Sequence, residues 1–96
     1  MKASLLHYRK KELSDGSIIE MVIWLVPKSG ERPHGLKYRL HFGSPVGKCF
    51  VRYDNETGKG DHKHVGTTEE RYRFTSVEGL IQDFENDVSA WQQKGG

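Results

Sequence analysis

The chain has 96 residues, of which 34% are hydrophobic and 29% are charged, and its formal net charge is +2. A chain of this length forms one domain, residues 1–96, with a modest core, which excludes an enzyme with a cleft between two lobes. A lone cysteine excludes an internal disulfide, and no apolar run reaches the ~20 residues that a membrane-spanning helix needs. We expect a cytoplasmic protein that does not bind membranes, with a frayed tail over residues 93–96.

Two apolar-rich runs begin the chain, Leu5–Leu13 and Ile18–Val26. The Asp15-Gly16 pair between them predicts a two-residue type I′ hairpin turn, because that turn needs positive φ at both central positions. This turn would pair Arg9 with Val22 and would place alternate residues on one face of a sheet. That face would hold His7, Arg9, Lys11, Glu20 and Trp24.

The strictest alternation of apolar and polar residues is in Leu36–Phe42, which predicts a third strand. A fourth run, Lys48–Asp54, returns beside it. Pairing Leu40 with Val51 keeps the apolar residues of both strands on one side of the sheet. The other side continues the polar face of the first hairpin and would hold Lys37, Arg39, His41, Phe50, Arg52 and Asp54.

Asn55 to about Thr68 has no strand or helix pattern and is predicted to be a long loop, which in a compact domain is often functional. A short strand over Arg71–Phe74 would follow. If its two aromatic residues, Tyr72 and Phe74, point inward, Arg71 and Arg73 join the polar face.

The last predicted element is a helix. Thr75 and Glu78 match a capping box, in which each side chain satisfies an amide of the other residue. A single apolar stripe follows at 3- and 4-residue steps and consists of Val77, Leu80, Ile81, Phe84, Val88 and Trp91. The predicted fold is α+β: an antiparallel meander sheet of about five strands, with this C-terminal helix packed on one face.

The face away from the helix would be basic, with aromatic residues among the charges. Such a face is typical of proteins that bind single-stranded RNA, because cations contact phosphates and rings stack on bases. A solvated face without function, and a surface for an acidic protein or a second copy of the chain, are the alternatives. The candidate RNA-binding residues are Arg9, Lys37, Arg39 and Arg52 for phosphate and Trp24 for base stacking.

Two histidines follow the fourth strand, His62 and His64, and would point the same way in an extended segment. With Asp54, Glu56 or Asp61 nearby, they suit zinc or another divalent ion. Without a metal, one imidazole can act as general base and the other as general acid in RNA cleavage, with the aspartates orienting them. Both alternatives stay open, together with a third in which they are solvated loop histidines without function.

A Gly-Lys-Gly turn lies in the same run and predicts an anion site. Gly58 and Gly60 would let backbone amides approach an anion closely, and Lys59 adds a positive charge. The turn is not a Walker motif, because the other residues of that pattern are absent. The alternative is a turn whose residues are selected for backbone conformation alone.

The same residues resemble the signature of the TumE family of bacterial toxin–antitoxin proteins. The resemblance rests first on the central run Tyr53-Asp54-Asn55-Glu56, Gly58-Lys59-Gly60-Asp61-His62 and His64. It extends over most of the chain, through His7, Arg9, Glu20-Met21, Ile23-Trp24, Pro27, His34, Lys37-Tyr38-Arg39-Leu40, Asp83-Phe84 and Asp87-Val88. It implies a toxin encoded beside a helix-turn-helix antitoxin. RNA as the target is inferred from the residue chemistry alone.

Overall fold

The computed structural model describes residues 3–56 and 58–94, which form a six-stranded antiparallel sheet and one helix. The strands are β1 (Ser4–Glu12), β2 (Ile18–Leu25), β3 (Leu36–Gly43), β4 (Cys49–Asp54), β5 (His62–Val65) and β6 (Thr68–Arg71), and the helix is α1 (Val77–Gln93). Each strand pairs with the next in chain order. The predicted α+β meander is therefore confirmed, with six strands in place of about five. Gly95 and Gly96 of the expected tail lie outside the described residues.

One side of the sheet packs against α1 because the residues of the central strands alternate. In β3 the apolar residues are buried, whereas Lys37 and Arg39 between them are exposed. The predicted stripe of α1 is confirmed, since its residues are either buried or packed against the core. The core is formed by Met21, Ile23, Leu36, Tyr38, Leu40, Phe42, Val51, Tyr53, Leu80, Phe84 and Val88.

The start of α1 differs from the predicted capping box. The N-cap is Ser76, which has an extended backbone and whose hydroxyl accepts a hydrogen bond from the Gly79 amide at 2.9 Å. The predicted cap at Thr75 with Glu78 is therefore wrong by one position. No helix in the described part of the chain is long and apolar enough to cross a membrane.

The first hairpin turns through three residues rather than two. Leu13 donates its amide hydrogen to the Ser17 carbonyl at 2.8 Å, and Gly16 has φ 88. Asp15 does not have positive φ, so the predicted type I′ turn is wrong. A three-residue loop that ends with glycine in the left-handed region is another common hairpin, and Asp-Gly fits both.

This turn shifts the register of β1 on β2 by one residue, so that Arg9 pairs with Met21 instead of Val22. A shift by one moves every side chain of a strand to the other face. The predicted place of His7, Arg9 and Lys11 on the polar face is therefore wrong: they lie on the α1 side of this edge strand.

The pairing of β3 with β4 is two residues away from the predicted one, since Leu40 lies opposite Tyr53 rather than Val51. A shift by two preserves the faces. An irregularity in the pairing where β4 begins changes the face of the sheet on which Phe50 lies. The Phe50 ring stacks on Trp91 of α1 with 5.2 Å between centroids, so its predicted place on the polar face is wrong.

A second hairpin begins at His62 and occupies the second half of the predicted long loop, whereas residues 55–56 and 58–61 have no strand or helix, as predicted. β5 and β6 are joined by Gly66 and Thr67, and Gly66 has φ 61, as the first central residue of a type II′ turn requires. The strand predicted over Arg71–Phe74 is also wrong, because β6 ends at Arg71. Tyr72 and Phe74 nonetheless pack inward against the core, as predicted.

Candidate active site on the open sheet face

The side of the sheet away from α1, called the open face below, carries two neighbouring rows of polar side chains. The register of β3 to β6 defines both rows, because residues that pair across antiparallel strands point to the same face. One row runs through Arg39, Asp54, His62 and Arg71. The other row runs through His41, Arg52, His64 and Glu69.

The contacts of Lys63 fix which face of β5 carries the two histidines. It lies between them in sequence and points to α1, where its Nζ lies 3.2 Å from Asp87 Oδ2. The Tyr53 hydroxyl donates to the same carboxylate. Alternation along the strand then places His62 and His64 on the open face, with 5.7 Å between ring centroids. Both rings point the same way, as predicted.

His62 is fixed at both ring nitrogens, and its side chain is only 7% exposed. Nδ1 lies 3.0 Å from the Gly60 carbonyl, which only accepts hydrogen bonds, so Nδ1 carries a proton. Nε2 lies 2.6 Å from Asp54 Oδ1 and 3.7 Å from Glu69 Oε2. The reactive nitrogen of His62 therefore points at two carboxylates on the open face.

His64 and Arg52 complete the group. His64 Nε2 lies 3.0 Å from Glu69 Oε2, and Arg52 Nε lies 3.1 Å from Asp54 Oδ2. Within the described part of the chain, three of the buried atoms in these contacts lack an aligned hydrogen bond despite the short distances: His64 Nε2, Arg52 Nε and Asp54 Oδ1. These five side chains, Arg52, Asp54, His62, His64 and Glu69, are called the histidine cluster below.

His41 lies beside the cluster as a further imidazole. Burial lowers its pKa, and the positive charges of Arg39 and Arg52 lower the pKa further, against a smaller opposing effect of Glu20. A lowered pKa favours the uncharged ring at neutral pH. His41 therefore adds a neutral polar group, and no third positive charge, next to these two arginines.

Asp61 is separated from the histidines that it was expected to orient. Its carboxylate faces His34, with 3.1 Å between His34 Nε2 and Asp61 Oδ2. The ring of His34 packs on Phe74, on the α1 side of the sheet. Of the two predicted aspartates, the structure brings only Asp54 to His62.

The Gly-Lys-Gly turn already has an anionic partner in the chain. Gly58 and Gly60 have φ 86 and 70, as a turn requires. The Gly58 amide donates to Glu31 Oε1 at 3.1 Å, and the Lys59 amide to the Glu56 carbonyl at 3.1 Å. The carboxylate of Glu31 thus occupies the Gly58 amide of the turn. The turn contacts the histidine cluster through the Gly60 carbonyl, which lies 3.0 Å from His62 Nδ1.

The open face is mixed in charge rather than uniformly basic. Glu12 and Glu69 lie on it in addition to the predicted acids Glu20 and Asp54. Arg39 and Arg71 are the exposed cations that pair with residues of the cluster, and Lys37 lies two residues beyond Arg39 on β3. None of the three has a carboxylate within 4.0 Å among residues 3–56 and 58–94. Trp24 lies opposite Lys37 and is 36% exposed.

Glu69 is the member of the cluster that sequence reasoning missed. Gly66 and Thr67 form a two-residue turn, and such a turn places Glu69 directly opposite His64. That turn was the signal in the sequence from which the position of Glu69 could have been predicted. It was weak because the flanking residues are polar and show no apolar alternation.

The fold and the cluster define a small α+β protein whose ionisable side chains gather on the exposed face of an open antiparallel sheet. The chain belongs to the Toxin TumE family, whose model matches residues 3–92. It is therefore a toxin, and an antitoxin is its partner. No curated protein and no solved structure matched the chain.

Proposed function

We propose that this toxin cleaves RNA at the histidine cluster. The observation that carries the proposal is the convergence of His62 Nε2, His64 Nε2 and two carboxylates on the open face of the sheet. Phosphodiester cleavage needs a group that takes a proton, a group that returns one and a charge that stabilises the phosphate. The histidine cluster brings those chemistries together on one face of the sheet.

The cations around the cluster support a phosphate as the ligand. Arg39 and Arg71 flank Asp54 and His62 in one row, and Arg52 lies in the next row. Neighbouring strands are ~4.8 Å apart, so a phosphate over His62 lies within reach of a long guanidinium on either side. Lys37 and Trp24 extend the surface, with a charge for a second phosphate and a ring for a base.

The 2′-hydroxyl is the group that distinguishes RNA from DNA in this reaction. Its oxygen attacks the phosphorus, the bond from phosphorus to the 5′-oxygen breaks, and a 2′,3′-cyclic phosphate forms. The cluster takes the 2′-hydroxyl proton, and the departing 5′-oxygen gains a proton to leave as a hydroxyl. Arginine stabilises the extra negative charge on the phosphoryl oxygens. Asp54 keeps His62 oriented, which is a positioning role.

We also propose that the antitoxin is a helix-turn-helix protein encoded next to this toxin. Two non-enzymatic roles are the rivals of RNA cleavage. A nucleic-acid-binding module would bind RNA with a steep salt dependence and without turnover. A protein-interaction domain would bind its partner and have no affinity for RNA.

The test is cleavage of a labelled RNA oligonucleotide by purified His62→Ala/His64→Ala protein. We expect cleavage and growth arrest to fall at least about 100-fold, the contribution typical of proton transfer by positioned groups. His7→Ala is the matched control, because His7 lies on the other face, and it should cleave like the wild type. His62→Gln replaces the double variant if circular dichroism shows unfolding. Undiminished cleavage in folded variants of the cluster would contradict the proposal.

A further inference from the structure

Three side chains of the histidine cluster have the geometry of a metal site. One ring nitrogen of His62, one of His64 and a Glu69 carboxylate oxygen all lie within 4.8 Å of one another. Glu69 Oε2 is 3.7 Å from His62 Nε2 and 3.0 Å from His64 Nε2. Ligand atoms around a tetrahedral zinc ion are about 3.4 Å apart, given zinc–ligand distances of about 2.0–2.1 Å. The two measured distances lie on either side of this separation.

The backbone holds the three side chains in this arrangement. His62 and His64 lie on the same face of one strand, and Glu69 lies opposite His64 across a hairpin with a two-residue turn. Nδ1 of His62 donates to the Gly60 carbonyl at 3.0 Å. Metal-bound histidines usually donate their second ring nitrogen in this way, because the bond fixes the ring and the tautomer.

Ion pairing within the cluster does not fully explain these contacts. His64 Nε2 is buried and lies 3.0 Å from Glu69, yet no hydrogen bond to it is aligned among the described residues. Asp54 Oδ1 is also buried and lies 2.6 Å from His62 Nε2, again without an aligned hydrogen bond among the described residues. A cation between the two rings and Glu69 would accept a lone pair from each ligand atom. These contacts would then not depend on a correctly oriented N–H hydrogen.

We infer that His62, His64 and Glu69 bind a divalent metal ion of the zinc class. Two imidazoles and one carboxylate favour zinc over magnesium, which prefers oxygen ligands and retains its waters. Three protein ligands leave a position for water, as in catalytic zinc sites. A bound ion of this class would lower the pKa of that water and so would supply a base for the 2′-hydroxyl proton. This last step depends on the proposed RNA cleavage, whereas binding of the ion does not.

The test is zinc binding to the full chain after treatment with EDTA and dialysis, measured by isothermal titration. The variants are Glu69→Gln and its matched control Glu70→Gln, the next residue, which is also exposed but faces Lys63. We expect one ion per chain in the wild type and in the control, and an affinity at least about tenfold lower in Glu69→Gln. Equal affinity in the two variants, or no binding to the wild type, would overturn the inference.

A parallel RNA assay distinguishes failure of this inference from failure of the proposed function. Zinc binding that Glu69→Gln weakens as expected, without RNA cleavage under any condition, supports the ion site and overturns the proposed function. Cleavage that resists EDTA and is unchanged by Glu69→Gln supports the proposed function and overturns a catalytic ion. Cleavage that EDTA stops and zinc restores supports both.

Discussion

At the scale of single residues, Asn55 determines how β4 ends and therefore where Asp54 lies. Its side chain is 1% exposed and makes two hydrogen bonds to the backbone of β3. Oδ1 accepts from the Tyr38 amide at 2.9 Å, and Nδ2 donates to the Leu36 carbonyl at 2.8 Å. The side chain thus continues the β3–β4 pairing one step beyond Asp54. Asn55 supports the site without belonging to it.

We expect Asn55→Ala to lower the free energy of unfolding by about 1–3 kcal/mol, because a buried amide hydrogen and a buried carbonyl lose their partners. Urea denaturation followed by circular dichroism measures the loss. Glu56→Ala, at the exposed neighbouring position, is the control and should change the free energy by less than about 0.5 kcal/mol. Equal effects of the two substitutions would show that the Asn55 bonds contribute nothing.

Residue patterns in the sequence predicted part of the cluster correctly. The spacing of His62 and His64 was sufficient, since residues two apart in a strand share a face. The same rule explains why Asp61 is absent: it is next to His62, and neighbours in an extended chain point to opposite sides. Glu69 could not be found without the pairing of β5 with β6. That pairing depends on a turn with little sequence signal.

At the scale of elements, short turns control which chemistry reaches the open face. Asp15-Gly16 fits a two-residue and a three-residue hairpin equally well. The difference of one residue in the length of the turn places the side chains of β1 on opposite faces of the sheet. The alternation in β3 and the stripe of α1 have no such ambiguity, because burial of one face determines them. Elements with a strong apolar period were therefore predictable, and the polar hairpin of β5 and β6 was not.

We expect Gly66→Ala to destabilise the protein by about 1–2 kcal/mol, because its φ of 61 lies in a region that costs residues with a Cβ about that much. The new methyl group would also lie 3.2 Å from Trp91 Cζ3. Gly30→Ala is the matched control, since a Cβ there meets no atom within 4 Å. Thermal denaturation compares the two variants. Similar melting temperatures for both would contradict this account of the turn.

At the scale of the whole molecule, the two faces of one sheet carry different groups of side chains. The α1 side contains the core, together with a tyrosine–carboxylate group at Tyr53, whose pKa is raised first by burial and then by its hydrogen bond to Asp87. The open face lies away from α1 and carries the histidine cluster, with Arg39 and Arg71 beside it. In a meander, neighbours in sequence are neighbours in space, so a cluster from β4, β5 and β6 forms within one short stretch of the chain.

This separation of faces predicts that location, rather than net charge, determines RNA binding. Arg39→Gln removes a cation from the open face, and Arg9→Gln removes one from the α1 side, so the two variants have the same net charge. We expect Arg39→Gln, but not Arg9→Gln, to weaken RNA binding. Arg39→Gln should also reduce the slope of log K against log salt by about 0.7, the value for one phosphate contact to a single strand. Fluorescence anisotropy of a labelled RNA across a salt series measures this, with His62→Gln in both proteins to prevent cleavage. If Arg9→Gln weakens binding as much as Arg39→Gln does, RNA responds to overall charge, and the open face is not its binding surface.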